Sequence, residues 1–600
     1  MPLDSPALAD APLLGVEHSA KGQVWKQRPI CRRSADLAVQ RYGVDPLLAD
    51  VLVGRGVEVE ELKAYLSPSL KSSMPDPSVL LEMDEAAARI ADAVERGETI
   101  GIFGDYDVDG TSAASLLFRY FRELGTEPVV HLPDRFTEGY GPSTEGFRNL
   151  EERGASLILT VDCGSNHGDV VGRSSADVIV LDHHLMGERP DVFALVNPQR
   201  EGDHSGLTGL SAGGVAFMAA VATNRELRKR GAFETKLEPK LMRLLDLVAL
   251  SLVGDVMPLR GLTRVLVAQG LRLIGTFEEG GGNAGLRALA EVAGLSGQAQ
   301  VSHLGFQIGP RINAAGRIGH ARIAFDLLTT DEPSRAASIA QKLEALNKER
   351  RRIEDAVRRE AQAQVDAQIE AGQLPEGAAI VAAGEGWHPG VVGIVAGRLK
   401  ERYHRPAFCI AMEGGKGTGS GRSLTGVDLG SAVSAAAAAG VIDGGGGHAM
   451  AAGLSLREEQ IDGFRAFLAD RLSQDVTMAT EERPLTIDAV VSVGAIHGRT
   501  CKAVAPAGPF GAGHPEPRFA VADVVIRHAR QVGDRHLAIT IEDAVGNTAR
   551  GIAFGVIGEP IGDLLQSGDR TRLHLAGRIT PDTWRGGEAA QFELDDAAEA

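Results

Sequence analysis

Between residues 99 and 184, short apolar runs alternate with helix-like stretches, and the runs end on acidic residues. The runs 99–103, 128–132, 157–161 and 178–181 read as strands. Helices are expected over 112–124 and 143–153, the second with Ser143 as N-cap. Such alternation builds a mostly parallel, doubly wound α/β sheet. Ligands of these sheets sit beyond the carboxyl ends of the strands. The first run leads into Gly104-Asp105-Tyr106-Asp107-Val108-Asp109-Gly110. The third ends at Asp162, and the fourth is followed by Asp182-His183-His184.

Carboxylates packed this closely repel one another unless protons or a metal ion neutralise them. Asp-x-Asp-x-Asp-Gly also opens a calcium loop of the EF-hand type, which needs a bidentate Glu at its twelfth position. Counted from Asp105 that position is Leu116, and the approach is a strand, so the calcium loop is rejected. Neutral imidazole beside carboxylate suits Mn²⁺ or Mg²⁺. Asp255 follows another apolar run, 245–252, which is taken as one more strand or segment ending in an acid. Singly, Asp162 is a common turn-former and a His-His pair is often unremarkable. Jointly they supply what a dinuclear centre needs, several carboxylates and a histidine from different strands.

Composition bounds the rest. Six hundred residues imply three or four domains at ~150 residues each. The lead-in is placed at 1–78, the first α/β domain at 79–333, a charged connecting helix at 334–372, a second α/β domain at 373–478, and a β-rich barrel of the OB type at 479–600. Glycine-rich turns are expected at 414–421 and 444–447, and the acidic tail after Glu593 is expected to fray. Cys31, Cys163, Cys409 and Cys501 form no Cys-x-x-Cys pair, which fits a reducing cytoplasm. No apolar run reaches the ~20 residues of a membrane span, and neither a membrane nor a secretory signal is expected. A net charge of −18 argues against a broadly basic nucleic-acid surface while leaving room for a local channel. The absence of Gly-x-x-x-x-Gly-Lys-Ser/Thr removes a P-loop kinase or ATPase.

The acidic run together with Asp182-His183-His184 resembles the DHH phosphoesterase superfamily. The likeness extends over nearly the whole chain and is strongest to its bacterial single-strand-specific exonucleases. It runs through Leu132-Pro133-Asp134-Arg135…Glu138-Gly139-Tyr140-Gly141, Leu210-Ser211-Ala212-Gly213-Gly214 and Gly309-Pro310-Arg311-Ile312-Asn313-Ala314-Ala315-Gly316-Arg317. It continues through His388-Pro389-Gly390, Gly419-Ser420-Gly421-Arg422-Ser423, Gly445-Gly446-Gly447-His448 and Gly508-Pro509-Phe510-Gly511. Three places depart from it: Phe103 stands where the family often has His, Ser165-Asn166-His167-Gly168 is unusually polar, and the glycines at 280–282 look like an insertion.

The resemblance implies a DHH domain joined by the long helix to a DHHA1 domain, then the barrel. It implies hydrolysis of single-stranded DNA from the 5′ end to 5′-mononucleotides, in recombination and repair, by a cytoplasmic monomer beside a helicase and a single-strand-binding protein. Asp107, Asp109, Asp162, His183 and Asp255 would ligate two Mn²⁺ or Mg²⁺ ions, with Asp105 as ligand or support. His184 would meet the scissile phosphate, and Asp182 would orient His183 or the helix start. Ser420 and Arg422 would hold a terminal phosphate, Arg offering a bidentate fork. Arg135, Arg311 and Arg317 would line the strand's path, Asn313 would support that loop, and His448 would stand near the backbone. Phe136 and Tyr140 would stack on bases, with core packing as their alternative. Two rival readings are a phosphoesterase of short oligonucleotides or small nucleotides and a non-catalytic single-strand-binding protein. The lead-in and barrel count against the first, and the complete carboxylate and histidine set against the second.

Overall fold

The computed structural model describes residues 11–279, 281–375, 377–481, 483–567, 571–582 and 589–600. The first ten residues of the lead-in and Gly280 of the glycine run lie outside them. The chain forms two compact units, one of residues 1–21, 25–344 and 486–600, the other of residues 22–24 and 345–485.

In the first unit the apolar runs become five parallel strands. They are β1 (Thr99–Gly104), β2 (Val129–His131), β3 (Ala155–Val161), β4 (Asp177–Leu181) and β5 (Ala194–Val196), in the order β2-β1-β3-β4-β5. The strand order reverses between β1 and β3, the switch point where doubly wound sheets bind ligands. Gly104 lies beside Val161 and Val161 beside Leu181. The residues that follow these three are Asp105, Asp162 and Asp182, so strand register alone lines up three carboxylates. Phe103 is fully buried and stacks on His131 at 5.1 Å. Its side chain belongs to the core with Phe147, Leu150 and Ile158.

The helix after the acidic run, α1 (Val108–Glu123), starts four residues earlier than the sequence suggests. Asp107 is its N-cap and accepts from Asp109 N (2.8 Å) and Gly110 N (3.1 Å). A Cβ at Gly110 would lie 2.6 Å from Asp105 N, so the turn requires glycine. Three further helices face the site: α2 (Ala212–Lys229), α3 (Leu245–Gly254) and α4 (Gly309–Ile318). The run before Asp255 is therefore helix α3, not a strand. With only Asp246 and Ser251 polar between 245 and 252, the run carries little periodicity that separates the two. The polar segment after Asp162 makes only a four-residue helix, Gly168–Val171.

The charged helix spans Pro333–Glu370. The second unit holds a five-stranded sheet in the order Gly444–His448, Ala451–Arg457, Lys416–Arg422, Ala407–Glu413, Ile380–Glu385. Beyond the turn at Gly414-Gly415, both glycine-rich runs are strands here. Gly417, Gly419 and Gly421 alternate on one face, and a Cβ at Gly421 would lie 2.4 Å from Phe408. Glycine makes room for the core aromatic while Ser420 and Arg422 point the other way.

The C-terminal part of the first unit closes into a five-stranded barrel of Phe519–Val532, His536–Glu542, Thr548–Ala553, Ala590–Glu599 and Leu573–Pro581. The first strand pairs with the last to seal it. The acidic tail, expected to fray, is thus a barrel strand. Phe592, Leu594 and Ala597 face inward, and fully buried Asp596 accepts from Trp25 Nε1 at 3.0 Å. Lead-in residues Ala38, Leu48, Leu52 and Leu62 share one core with Phe519 and Phe592.

His514 sits in the polar joint at the barrel's root, bonded to Tyr65 Oη (3.1 Å) and close to Arg55 Nη1 (3.4 Å). Burial, with the charges of Arg55 and Arg264, lowers its pKa from 6.5 to about 4. The unfolded chain therefore binds the extra proton first as pH falls. Stability from this group is complete above pH 6.5 and is lost as pH drops from 6.5 toward about 4. Urea titrations should show a loss of about 2 kcal/mol between pH ~7.5 and ~5 that His514→Gln removes. An unchanged slope in the variant would refute this.

Candidate metal centre

The central feature is one imidazole nitrogen among carboxylates from three different elements. His183 Nε2 lies 3.2 Å from Asp162 Oδ1, 3.5 Å from Asp109 Oδ2 and 3.6 Å from Asp255 Oδ2. Three groups have ligand atoms mutually within 4.8 Å: Asp162 with His183 and His184, Asp109 with His183 and Asp255, and Asp105 with Asp107 and Asp162. Asp162 and His183 are each shared by two of them.

Local structure explains how like charges are kept together. Asp109 accepts from Ala212 N (2.8 Å) and Gly213 N (3.0 Å) at the N-terminus of α2, where amides and helix dipole favour an anion. It also accepts from Ser251 Oγ. Ser251 escapes the sequence reading, although it stands one helical turn before Asp255 on α3, the spacing that puts two side chains on one face. Asn313 Oδ1 on α4 accepts from Val108 N (2.9 Å) and so braces the acidic loop. A Cβ at Gly316 would lie 2.6 Å from Tyr106 O, so α4 rests directly on that loop.

Asp162 has φ +64°, and Val256, next to Asp255, has φ +58° with 70% of its surface exposed. Left-handed backbone at a β-branched residue is strained by roughly 1–3 kcal/mol. The chain tolerates it at the turn that aims the Asp255 carboxylate.

Electrostatics identify what is missing from the protein's own groups. Burial, then repulsion from neighbouring carboxylates, raises Asp105 and Asp162 well above the ordinary range. Burial raises Asp109 against the pull of His183, and burial with Asp109 and Asp107 takes Asp255 to about 8. Burial lowers His183, so the imidazole favours its neutral form. Asp105 Oδ1 is buried without a hydrogen-bond partner among the described residues. Four acids pushed toward protonation, a neutral imidazole and an orphaned carboxylate oxygen fit divalent cations.

Asp182 differs from its neighbours. Burial disfavours its charge, but His184, His183 and the Ser165 amide overcome this and lower its pKa. Its Oδ1 accepts from His184 Nδ1 (2.8 Å) and the His183 amide (2.8 Å), and its Oδ2 from Ser165 N (3.1 Å). The imidazole it orients is that of His184, not of His183 as expected from the sequence. Burial opposes a charge on His184, yet the bond and charge of Asp182 raise its pKa to about 9. His184 Nε2 lies 3.1 Å from Tyr140 Oη. Asn197, which sequence reading missed, bonds His184 O and Ser165 Oγ, both at 2.9 Å.

The remaining candidates fall in several places. Arg135 lies over the Tyr106 ring at 5.2 Å. Phe136 and Tyr140 are 46% and 47% exposed, which removes the core-packing alternative. Arg311 is buried against Glu344 (2.6 Å) and Gln307 O (2.6 Å), and Arg317 is half-buried on the same helix. In the second unit, Arg422 Nη1 donates to Ser420 Oγ (2.9 Å). A Cβ at Gly393 would lie 3.0 Å from both side chains, so the pair sits against the first turns of helix Pro389–Tyr403. His448 is exposed on its strand.

Residues 99–251 match the DHH family N-terminal domain, 376–474 the DHHA1 domain, and 487–596 the RecJ OB domain. The single-stranded-DNA-specific exonuclease RecJ of Escherichia coli is 34% identical over 589 residues, covering 96% of this chain and 99% of that one. RecJ of Salmonella typhimurium is also 34% identical, covering 95% and 99%. The structure of RecJ from Thermus thermophilus in complex with Mn²⁺ superposes with a TM-score of 0.77 at 28% identity, covering 96% of this chain and 79% of that one. Its Mg²⁺ complex gives 0.72 at 27% identity, covering 96% and 78%. Relatives this similar, aligned from the lead-in through the barrel, show that the chain belongs to the RecJ family.

Proposed function

We propose that this chain is a single-stranded-DNA-specific exonuclease that degrades its substrate from the 5′ end to 5′-mononucleotides. The observation that carries the reading is the His183 nitrogen ringed by Asp162, Asp109 and Asp255 at the strand switch point. The activity printed for the RecJ relatives supports the substrate. Work in recombination and repair, in the cytoplasm, as a monomer beside a helicase and a single-strand-binding protein, belongs to the same proposal. Among the described residues no helix is long and apolar enough to cross a membrane.

Asp107, Asp109, Asp162, His183 and Asp255 would hold two divalent ions, Mn²⁺ or Mg²⁺ as in the RecJ complexes, with the free oxygen of Asp105 beside them. When bound, such ions acidify water and neutralise charge on the entering and leaving oxygens of a phosphodiester. The chain's own groups do the rest. Asp182 keeps His184 protonated on Nδ1 and cationic, so that imidazole can neutralise a non-bridging oxygen of the scissile phosphate. The helix α2 amides fix Asp109, so the cluster does not need to reorganise when substrate arrives.

Ser420 and Arg422, packed against Gly393 of helix Pro389–Tyr403, would take the terminal 5′-phosphate, with His448 near the strand's backbone. Arg135, Phe136 and Tyr140 offer charge and exposed rings for stacking. Arg311 and Arg317 on α4 complete the proposed path; because Arg311 is already paired with Glu344, its part there is to shape the path.

Asp107→Ala should lower hydrolysis by at least about a thousandfold while single-strand binding changes little; unchanged turnover would sink the ligand assignment. With Mn²⁺ or Mg²⁺, a 5′ label should be released before a 3′ label, and a chelator should stop both. Early loss of the 3′ label would overturn the polarity. Removing the substrate's 5′-phosphate should weaken degradation about tenfold or more in the parent and much less in Arg422→Ala. An equal effect in both would remove Arg422 from that role.

A further inference from the structure

The loop over residues 132–142 carries Arg135, Phe136 and Tyr140, yet its exposed rings are not held by core packing. What fixes it is polar. The Glu138 carboxylate closes the loop on itself: Oε1 accepts from Asp134 N (2.9 Å) at its start, and Oε2 from Ser143 Oγ (3.1 Å) at its end. Oε2 also lies 2.8 Å from His131 Nε2 on β2. His131 is in turn stacked on buried Phe103 of β1. The loop is thereby tied to the two strands beside the acidic run.

The other support comes from below. A Cβ at Gly141 would fall 2.5 Å from the His167 ring, so that imidazole lies close against the loop's backbone, where φ +77° already demands glycine. The Tyr140 ring lies 6.0 Å from both His167 and His184. His167 Nδ1 is buried with no hydrogen-bond partner among the described residues, while the ring holds the loop through a hydrogen bond to the Tyr140 backbone. At the tip, the Tyr140 hydroxyl donates to Asp162 O (3.4 Å) and meets His184 Nε2 (3.1 Å).

We infer that Glu138 and His167 are positioning residues for hydrolysis, holding this loop so that the Tyr140 hydroxyl stays on His184. The inference rests on the proposed function. Without the ties, the loop would sample many conformations and ordering it would oppose each catalytic cycle. The effect passes through Tyr140, which distinguishes it from general support of the fold.

A double-mutant cycle on the full chain tests it, measuring kcat/KM for nucleotide release from single-stranded DNA. Glu138→Ala should lose about tenfold when Tyr140 is present and less than about threefold in Tyr140→Phe, which keeps the ring but not the hydroxyl. His167→Ala should behave alike. If Glu138→Ala does not fold by circular dichroism, Ser143→Ala removes one tie and enters the same cycle. Equal losses in both backgrounds, or no loss, would overturn the inference. A parent chain inactive on single-stranded DNA would instead refute the proposed function.

Discussion

The structure depends on holding carboxylates closer together than their charges allow. Asp105, Asp109, Asp162 and Asp255 are each shifted toward protonation by burial and then by neighbouring carboxylates, Asp107 among them. The fold offsets this with oriented dipoles: the α2 amides on Asp109, the N-cap geometry of Asp107, the Ser251 hydroxyl and the neutral ring of His183. These do not neutralise the cluster. They leave it short of positive charge and with the donor set of divalent cations. Asp162 and His183, each shared by two ligand groups, make the cluster one unit.

Sheet register turns that local chemistry into a site. Because β1, β3 and β4 end level, three acids appear side by side where the strand order reverses. Helices then supply what strands cannot. Asp255 arrives on the last turn of α3, and the strained backbone at Val256 sets its direction. Asp182 is separated from the acids beside it by its partners: it keeps its charge and so favours the protonated form of His184. Two adjacent histidines thus take opposite protonation preferences, one suited to a metal and the other to a phosphate.

The sequence shows the strands and the acidic residues plainly, because alternating apolar runs ending in Asp leave few alternatives. It misleads where a residue's role depends on a distant partner. Residues 245–252 leave strand or other segment open, because a nearly apolar run shows too little of a polar face to reveal its period. The run 414–421 reads as a turn because glycines suggest flexibility, whereas only Gly414-Gly415 turn and the glycines after them accommodate Phe408, Ile410 and Leu454. The last strand looks like a disordered acidic tail because nothing local announces that Trp25, some 570 residues away, will cover Asp596. Ser251 and Asn197 are invisible for the same reason, and Ser165 shows only as part of an unusually polar segment: single polar residues become meaningful only once the fold places them. Phe103 shows the converse, since its departure from the family pattern is absorbed by the core next to His131.

The most direct test of the central claim counts bound metal. Equilibrium dialysis with Mn²⁺, followed by electron paramagnetic resonance, should find two ions per parent chain. Asp162→Asn, which alters a ligand shared by two of the three groups, should lose at least one of them. A parent that binds no Mn²⁺, or a variant that still binds as many ions as the parent with unchanged affinity, would contradict the account.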